Sequence, residues 1–493
     1  MFRRRIHISW HIALLAAGFL LGVGLSLVPA TAVFAQGWWL VLAVALAAMG
    51  LARRRVWTLS LLLLAGMLVG LWRGTIERVD LTGYQAFLGQ NLTLTGKVFE
   101  DPSVEDNLVK LRLVEVEIDG VQLPGQVWAS ALGRISEVRR SDRVEISGKL
   151  KNGFGTFPAT MSYARLLGVQ PGQDDPARDL RDAFGEKLSN ALGGAAQNLG
   201  MGILAGQKTA LPPEVSEAFR IAGLTHIVVA SGYNLTILIR FARRSFARIS
   251  RLAALFGGGS LALGFACVTG FSPSMTRAAL VAGLSLLAWY FGRKFHPIIL
   301  LLVVAAATVV VNPMYVWGDA GWYMSFFAFA GVLIFAPLVQ DYFWGGERAK
   351  PARKLSRLKQ LGTDIRQIFI ETTSAQLLTM PIIALMLGQF SPYGLLANLL
   401  VLPIVPITML LTFVAGIVGW LVPVAAPIVG MPAQSLLDYI IWVSGAVAQL
   451  PGANHEVTFG LAPFAGVIAL ILTAIIYMRR RTRHQFRDNN VVA

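Results

Sequence analysis

Residues Leu224 to Arg240 read LTHIVVASGYNLTILIR, and this stretch decides how the rest of the chain is interpreted. It lies in an uncharged run of nineteen residues, 221–239, which at about 1.5 Å per residue is barely long enough to cross a bilayer as a helix. The run nevertheless contains six polar or helix-breaking residues: Thr225, His226, Ser231, Gly232, Asn234 and Thr236. Because a polar group costs free energy in hydrocarbon unless it is hydrogen-bonded, the pattern predicts a broken or pore-facing segment.

The composition of the whole chain is that of a membrane protein. Of its 493 residues, 55% are hydrophobic and 14% are charged, and the mean hydropathy is +0.60. Soluble domains carry about 25% charged residues, so this chain has too few to cover a water-facing surface. The single cysteine, Cys267, excludes an intrachain disulfide framework, and the six histidines lack the spacing of metal ligands. We predict a polytopic α-helical membrane protein without a metal or another cofactor.

The N-terminal region predicts three membrane helices. A basic head, Arg3–Arg5, precedes apolar runs at 6–28 and 32–51, and Arg53–Arg55 precede a third run at 56–72. No small-residue cleavage site after the first run is convincing, and the second apolar run follows at once, so we expect a retained helical hairpin and not a signal peptide. Since basic residues flanking membrane helices stay in the cytoplasm, the third helix is expected to lead the chain to the outside.

Residues 74–173 change to the alternating pattern of β-strands. Turn dipeptides such as Asp-Pro, Asp-Gly and Pro-Gly separate four segments with a period of two, at 91–100, 107–118, 125–132 and 142–150. Four or five short strands in this length are typical of a small β-barrel such as an OB-fold. We therefore predict an inserted OB-like extracytoplasmic domain.

This outer domain also carries candidate DNA contacts. Residues 134–151 include six basic residues against three acidic ones, and aromatic residues flank them, a combination by which OB-folds hold single strands. The candidates are Trp128, Arg134, Arg139, Arg140, Arg143, Lys149, Lys151, Phe154 and Phe157. The net charge of −3 over 74–196 argues against strong electrostatic capture, so the pattern alone leaves DNA contact open.

A helical connector, 174–223, leads to the main membrane region, 224–480, and a basic tail follows at 481–493. Nine apolar runs lie at about 221–239, 253–271, 275–291, 296–315, 318–340, 367–388, 394–422, 430–450 and 459–478. Counted from an outside start, the basic clusters 240–251, 293–294, 347–366 and 479–487 all fall inside. With the N-terminal helices, this predicts about ten to twelve transmembrane or re-entrant helices and cytoplasmic termini. Because the runs in 394–450 contain several prolines, the sequence does not decide whether they span the membrane or re-enter it.

Two patterns suggest enzymatic sites. GILAGQKT (202–209) resembles a phosphate-binding P-loop, but Gln207 separates the glycine from the lysine and no strand precedes it, so we do not expect nucleotide binding. His226 and Ser231 have the residue types of a base and a nucleophile, but no acid lies nearby in sequence to orient the histidine. A polar pore or helix-break role fits them better, and a membrane-embedded hydrolase remains the alternative.

Further polar residues lie in or beside the apolar runs. Arg277, in SPSMTRAAL, is expected one turn into such a run. Because a charged side chain inside a membrane segment is costly, we treat it as a candidate functional residue. Snorkelling of its side chain to the interface is the alternative reading. The other candidates for the pore are Asp319, Glu371, Gln376, Gln389 and Asn398. Pairing of Asp319 or Glu371 with Arg277 would make them structural.

Four motifs in order resemble the ComEC-type competence DNA-uptake channels. They are AFRIAGLTHIVVASGYN (218–234), SPSMTRAAL (272–280), GDAGWYMSFFAFAGVLI (318–334) and QLLTMPIIALMLGQFSPYGLLANLLVLP (376–403). The resemblance implies an inner-membrane channel that passes single-stranded DNA into the cytoplasm, with Arg277 contacting phosphate and Ser231 and Asn234 at a hydrated constriction. A permease for another polymer or small molecule is the second alternative.

The resemblance also implies partners. Moving one negative charge inward against 100 mV costs about 2.3 kcal/mol, and the chain has no credible nucleotide site, so we expect a cytoplasmic helicase-type ATPase, docking on 347–366. The other expected partners are an extracytoplasmic DNA receptor or pilus machinery, membrane lipid and further copies of the chain in a homo-oligomer.

Two departures from the family pattern matter. Where the family commonly reads Ser-Gly-Leu-His, this chain has Ser231-Gly232-Tyr233-Asn234, so we expect no proton transfer at the last position. The chain also has no HxHxDH sequence of the metallo-β-lactamase-like domain that many members carry, so a separate nuclease is expected.

Overall fold

A computed structural model describes residues 7–53, 58–105, 108–132, 138–172, 174–207, 211–228, 232–293, 296–345, 357–453, 455–456 and 460–483. The chain divides into two compact units. The first comprises Met1–Asp174 and Ile298–Trp322, and the second comprises Asp175–Pro297 and Tyr323–Ala493.

The helices are, in chain order, α1 (Ile8–Leu25), α2 (Trp38–Arg53), α3 (Thr58–Leu81), α4 (Pro176–Leu188), α5 (Gly194–Ala205), α6 (Pro213–Ile221), α7 (Thr225–Val228), α8 (Gly232–Phe246), α9 (Arg251–Val268), α10 (Pro273–Tyr290), α11 (Pro297–Val311), α12 (Met314–Gly318), α13 (Ala320–Ala330), α14 (Ala336–Trp344), α15 (Arg357–Leu387), α16 (Gly394–Val401), α17 (Val405–Leu421), α18 (Ala426–Ala448) and α19 (Leu461–Thr482). The strands are β1 (Asn91–Val98), β2 (Ser103–Glu105), β3 (Leu108–Ile118), β4 (Val121–Leu123), β5 (Val127–Leu132), β6 (Arg143–Asn152), β7 (Ala159–Gln170), β8 (Gln389–Phe390) and β9 (His455–Glu456). Short 3₁₀ segments lie at Pro29–Ala35, Thr82–Ala86 and Pro423–Ala425, and a π-helical segment, Gly331–Phe335, joins α13 to α14.

The helices confirm the predicted polytopic membrane class. Within the described residues, seven helices are long and apolar enough to cross a membrane, or up to nine if each of two bent pairs is one span. This is fewer than the ten to twelve transmembrane or re-entrant helices that the apolar runs predict. Three predicted runs account for the difference from nine. Helix α11 has only fifteen residues, α10 is not apolar enough to be counted, and the run 221–239 is divided among several helices.

In the first unit, α1 and α3 touch backbone to backbone through glycines. A Cβ atom added at any of four glycines would overlap a carbonyl oxygen of the other helix. The overlapping pairs are Gly18 with Leu63, Gly22 with Met67, Gly66 with Leu15, and Gly70 with Phe19. Because both members of these pairs advance together along the chain, α1 and α3 run parallel, and the chain between them returns to the side on which α1 begins. The spacing on both helices is GxxxG, a signal for close helix packing in membranes.

The same unit contains a closed five-stranded β-barrel. Its strands follow the order β1-β6-β7-β5-β3, and β3 pairs back with β1 to close the ring. Strands β5 and β7 pair in parallel, and the other neighbours are antiparallel. This order, with the third and fifth barrel strands parallel, is that of an OB-fold. The OB-like barrel predicted from the alternating pattern is therefore confirmed.

Closure of the barrel depends on a bend in β1. This strand pairs with β6 along Asn91–Lys97 and with β3 near its end, and its pairing with β3 shifts register between Thr95 and Lys97. Gly96 lies at the shift, where an added Cβ would come within 3.0 Å of the Leu113 Cβ atom. A glycine at this position lets the strand curve and its backbone approach β3 closely.

The second unit has one extended apolar core. Fully or almost fully buried leucines from five different helices meet in it: Leu188, Leu199, Leu235, Leu286 and Leu437. The segment 174–223, which the sequence suggested as a connector, thus contributes α4 and α5 to the same core as α8, α10 and α18. These helices are part of the packed unit and not a tether to it.

The P-loop-like sequence 202–209 lies at the wrong end of a helix for phosphate binding. Residues Gly202 to Ala205 complete α5, and Gly206 ends that helix with a left-handed φ of 74°. Phosphate sites use the N-terminal end of a helix, where backbone N–H groups and the positive end of the dipole point at the anion. A helix C-terminus presents carbonyl oxygens instead, so the described part of this sequence does not form a P-loop.

Candidate nucleic-acid interface

The polar segment that begins at Leu224 follows a helix break. Helix α6 ends at Ile221, and Gly223 adopts a left-handed φ of 70°. The Leu224 N–H then donates to the Phe219 carbonyl at 2.8 Å, and the Gly223 N–H donates to Arg220 at 3.1 Å. This is the glycine-dependent cap by which helices end and turn. Since Phe219 and Leu224 are both fully buried, the break is fixed by packing.

An ion pair lies on the surface of α6 next to that cap. Arg220 donates to Glu217 with an Nε–Oε2 distance of 2.7 Å. This hydrogen bond, together with the positive charge of Arg220, lowers the pKa of Glu217. The pair lies on the exposed side of α6, opposite the buried Phe219, so the arginine of the Phe-Arg motif is engaged within its own helix.

After the break, α8 runs parallel to α10. An added Cβ at Gly232 would lie 3.1 Å from the Ala278 Cβ atom, and eleven residues further on both helices the Arg243 guanidinium lies 5.6 Å from the centre of the Trp289 ring. Equal steps along both helices require a parallel arrangement. The basic residues that follow α8 and those that follow α10 therefore lie at the same end of the pair.

A small cavity separates the first turns of these two helices. Its volume is about 20 Å³, which is room for about one water molecule and far too little for a nucleotide. It is lined by Gly232, Thr236, Ile239, Ala278, Val281, Ala282 and Phe329. Most of these side chains are small, and the Thr236 hydroxyl donates to the Gly232 carbonyl within α8. The space between these first turns is thus too small for a DNA strand.

Two of the predicted pore residues lie close to this cavity along the chain. Arg277 directly precedes Ala278 and is only 2% exposed, so its side chain does not reach an interface with solvent here. Asn234 is also 2% exposed, and its side-chain amide donates to the Ile203 carbonyl at 2.9 Å, which ties α8 to α5. His226 lies on α7 with an exposed side chain. Ser231 lies outside the described residues.

The other predicted pore residues take separate positions. In the second unit, Glu371 accepts a hydrogen bond from Gln367 one turn away, and Gln389 lies in β8, paired with Glu456 of β9. In the first unit, Asp319 accepts from the Trp322 backbone N–H and so caps the start of α13. The contacts of Glu371 and Asp319 are local, whereas β8 joins two distant segments of the second unit.

Gln376 and Asn398 do come together, beside the helix break. The Asn398 amide donates to the Gln376 side-chain oxygen at 3.4 Å, and Asn398 is 6% exposed. The Ser391 hydroxyl donates to the Ile221 carbonyl at 2.7 Å, at the end of α6. An added Cβ at Gly223 would lie 3.4 Å from the Ser391 Cβ atom. The loop before α16 therefore holds the break in place.

On the barrel, three aromatic side chains form a cluster. Trp128 lies near the start of β5, and Phe154 and Phe157 lie in the loop between β6 and β7. Ring centres lie 5.3 Å apart for Trp128 and Phe157, 6.3 Å for Trp128 and Phe154, and 5.5 Å for Phe154 and Phe157. Within the cluster, Phe154 is 59% exposed to solvent, whereas Phe157 is buried. Arg112, which the sequence did not single out, lies 5.1 Å above the Phe157 ring and pairs with Glu100 at 2.8 Å.

Strand register places one basic candidate in line with this cluster. Lys151 pairs with Thr160, Thr160 with Trp128, and Trp128 with Arg112, across four neighbouring strands. Residues paired across strands lie side by side on one face of a sheet. Lys151, Trp128 and Arg112 thus form a row, which we call the barrel row. Two of its residues lie on the second and third strands of the barrel, β3 and β5, and OB-folds bind oligonucleotides on the face of these two strands.

The remaining basic candidates lie elsewhere on the barrel. Lys149 pairs with Asn91 of β1, away from the aromatic cluster, and Arg143 pairs with Glu117 at 3.4 Å. Arg139 is exposed, Arg140 is only 4% exposed, and Arg134 lies outside the described residues. Of the described basic candidates, which lie on β6 and just before it, Lys151 alone shares a register row with Trp128, so the basic stretch does not form one groove with the aromatics.

Among the described residues, no three His, Cys, Asp or Glu side chains converge as metal ligands would.

Comparison with known proteins identifies the family. A family described as "Competence protein" matches residues 203–483, more than half of the chain. The chain belongs to this family. The competence protein ComA of Neisseria gonorrhoeae is 34% identical over 119 residues, which cover 22% of this chain and 17% of that protein. No solved structure shows significant similarity to the chain.

Proposed function

We propose that this competence-family protein is the inner-membrane channel through which single-stranded DNA enters the cytoplasm. The observation that carries the proposal is the family match over residues 203–483, because that range contains the broken segment, the parallel helices α8 and α10, and the Gln376–Asn398 pair. A helix break beside buried polar groups is how membrane proteins build a hydrated path within a bundle.

The two parallel helix pairs support one orientation. Parallel α1 and α3 place the arginines before α3 on the side where α1 begins, and parallel α8 and α10 place the arginines after both helices at one end. With basic residues inside, α3 leads to an outer barrel and α8 runs inward. The strand would then meet the barrel first and leave beside Arg243.

The barrel row is proposed as the outer contact of the strand. We expect Trp128→Ala in the full-length protein to weaken binding of a single-stranded oligonucleotide about five- to a hundredfold, since stacking on an aromatic ring is worth about 1–3 kcal/mol per base. Lys151→Gln should lower the slope of log affinity against log salt by about 0.7, the value for one phosphate contact. Binding is measured by fluorescence anisotropy of the purified protein.

Lys149→Gln is the matched control for this prediction, because Lys149 is also exposed and lies two residues away on the same strand, but it pairs with Asn91 of β1. It should leave affinity and salt slope as in the wild type. Equal effects of the two lysine changes, or full affinity in Trp128→Ala, would contradict the assignment of the row.

The protein is proposed to be a conduit and not a motor. The sequence that came nearest to a nucleotide site ends a helix at Gly206, as described above. Inward movement of each phosphate against the membrane potential therefore needs a separate ATPase. The proposed dock is the basic loop 347–366, whose first half lies outside the described residues. Reversing the charges of that loop should abolish uptake without changing membrane insertion.

Two other functions make different predictions. A permease for another substrate would bind no DNA on the barrel, so Trp128→Ala would be silent in uptake. A membrane hydrolase using His226 and Ser231 would show turnover by the purified protein and would lose it in His226→Ala.

The proposed function is tested by transformation with labelled DNA in a strain lacking the gene. We expect label to accumulate outside the inner membrane and to reach the cytoplasm as single strands when the gene is restored. Cytoplasmic label at the wild-type level in the deletion strain would overturn the proposal.

A further inference from the structure

The outer face of the barrel continues beyond the barrel row along β5 and β7. On β5, the buried Ala129 and Ala131 alternate with Trp128, Ser130 and Leu132, which therefore share the outer face. Leu132 is 55% exposed, so this face is open to solvent at the end of β5. The barrel row is thus one edge of a larger surface.

A β-bulge in β7 adds a second aromatic ring to this surface. The pairing of β7 with β5 shifts register between Ala129 and Ala131, so two residues of β7 stand opposite the single residue Ser130. The second of them is Tyr163, which is 70% exposed, whereas the next residue, Ala164, is fully buried in the barrel core. The Tyr163 N–H donates to the Ser130 hydroxyl oxygen at 3.2 Å, which ties the bulge to β5.

The backbone of Tyr163 is strained. Its φ is +56°, in the left-handed region that a bulky residue other than glycine adopts only at a cost in free energy. A glycine would form the bulge without that cost. The tyrosine ring gains little from packing in return, because most of it faces solvent. The bulge therefore holds an aromatic ring in solvent against a backbone cost, which indicates a contact made outside the chain.

Basic side chains lie on both sides of Tyr163. Lys151 belongs to the barrel row on one side. Arg165 lies on the other side, two residues after Tyr163, where strand register places it between Ser147 of β6 and Leu132 of β5. Both basic side chains are exposed. The face therefore combines an exposed ring with positive charge, the chemistry that holds a single strand by its bases and its phosphates.

We propose that Tyr163 is a second stacking platform for the single strand, next to Trp128, and that Arg165 contacts a phosphate beside it. The inference rests on the proposed function and extends the outer contact of the strand from the barrel row to β7. Tyr163 lies three residues after Thr160, which pairs with Trp128. At about 3.3 Å per residue, the two rings are therefore attached about 10 Å apart along the strands, so one nucleic-acid strand laid along β5 and β7 places bases on both.

The experiment measures fluorescence anisotropy of two labelled probes with the purified full-length protein. One probe is a single-stranded oligonucleotide, and the other is a strand of the same length whose sugars carry no bases. We expect Tyr163→Leu to weaken binding of the oligonucleotide about fivefold or more, because leucine does not stack on a base as a ring does. Binding of the abasic strand should stay as in the wild type. Tyr163→Phe keeps the ring and should bind both probes as the wild type does.

Three further variants separate phosphate contact, apolar contact and strain. Arg165→Gln should weaken both probes alike and lower the salt slope by about 0.7, because both probes carry phosphates. Leu167→Ala is the matched control, since Leu167 is 55% exposed on the same strand, four residues after Tyr163, and should leave both probes unaffected. Tyr163→Gly should bind like Tyr163→Leu and melt at or above the wild-type temperature, because glycine relieves the strain.

Wild-type binding of the oligonucleotide by Tyr163→Leu, or an equal loss on the abasic strand, would overturn the inference. Equal losses in Tyr163→Leu and Leu167→Ala would overturn it as well, because the face would then dock an apolar partner such as a lipid or protein surface. A lower melting temperature of Tyr163→Gly would give the ring a structural role instead. In each of these cases restored uptake by the wild-type gene keeps the proposed function, whose own failure is wild-type uptake without the gene.

Discussion

Gly70→Leu is expected to prevent assembly of the N-terminal helices. A Cβ atom at Gly70 would overlap the Phe19 carbonyl oxygen, and a backbone atom cannot move aside as a flexible side chain can. The two helices would have to separate along their length, which loses the neighbouring contacts at Gly18, Gly22 and Gly66. We expect a loss of about 3 kcal/mol or more of folding free energy. The measurement is the yield and melting temperature of the detergent-solubilised protein.

Gly466→Leu is the control for this change. Gly466 lies within α19, where an added Cβ atom meets no atom within 4 Å. The same substitution should leave yield and melting temperature close to those of the wild type. If Gly70→Leu melted like Gly466→Leu, the close parallel packing of α1 and α3, and the orientation argued from it, would be wrong.

Arg277→Ala is expected to reduce DNA import about tenfold or more while the protein still inserts into the membrane. The side chain is buried on α10 next to Ala278, whose Cβ atom faces Gly232 of α8 on the proposed path. Loss of a charge-assisted hydrogen bond to a phosphate accounts for an effect of about this size. Import is measured as labelled single strands in the cytoplasm, and insertion as the amount of protein in the membrane fraction.

Arg277→Lys separates charge from packing in that experiment, because it keeps the cation in the same place. It should import more than Arg277→Ala at equal membrane levels. Wild-type import in Arg277→Ala would remove this residue from the path, and equal loss of protein in both variants would give it a purely structural role.

Much of the fold follows from the sequence because its signals are local. Period-two alternation and turn dipeptides define four barrel strands within a few residues, and the polar content of 221–239 correctly indicates a break. What the sequence did not reveal depends on contacts between distant segments. The GxxxG spacing at Gly18 and at Gly66 was visible, but only the pairing of the two helices shows that they interlock in parallel.

The candidate site was harder to predict for the same reason. Residues 134–151 are basic as a stretch, yet strand register places Lys151 in one row with Trp128, across Thr160, and places Lys149 beside Asn91 of β1. Arg112 and Arg243 were missed because nothing in their own neighbourhood marks them. Each becomes notable only through an aromatic partner, Phe157 or Trp289, more than forty residues away.

The central claim is that a DNA strand passes through the competence-family domain along α8 and α10. Its most direct test is cross-linking of a labelled strand stalled during uptake by a bulky protein at its trailing end. A photoreactive residue replaces Phe329, which lines the cavity, or Phe256, which is exposed on α9. The account predicts a cross-link to the strand at position 329 and none at position 256. No cross-link at 329, or equal cross-linking at both positions, would contradict it.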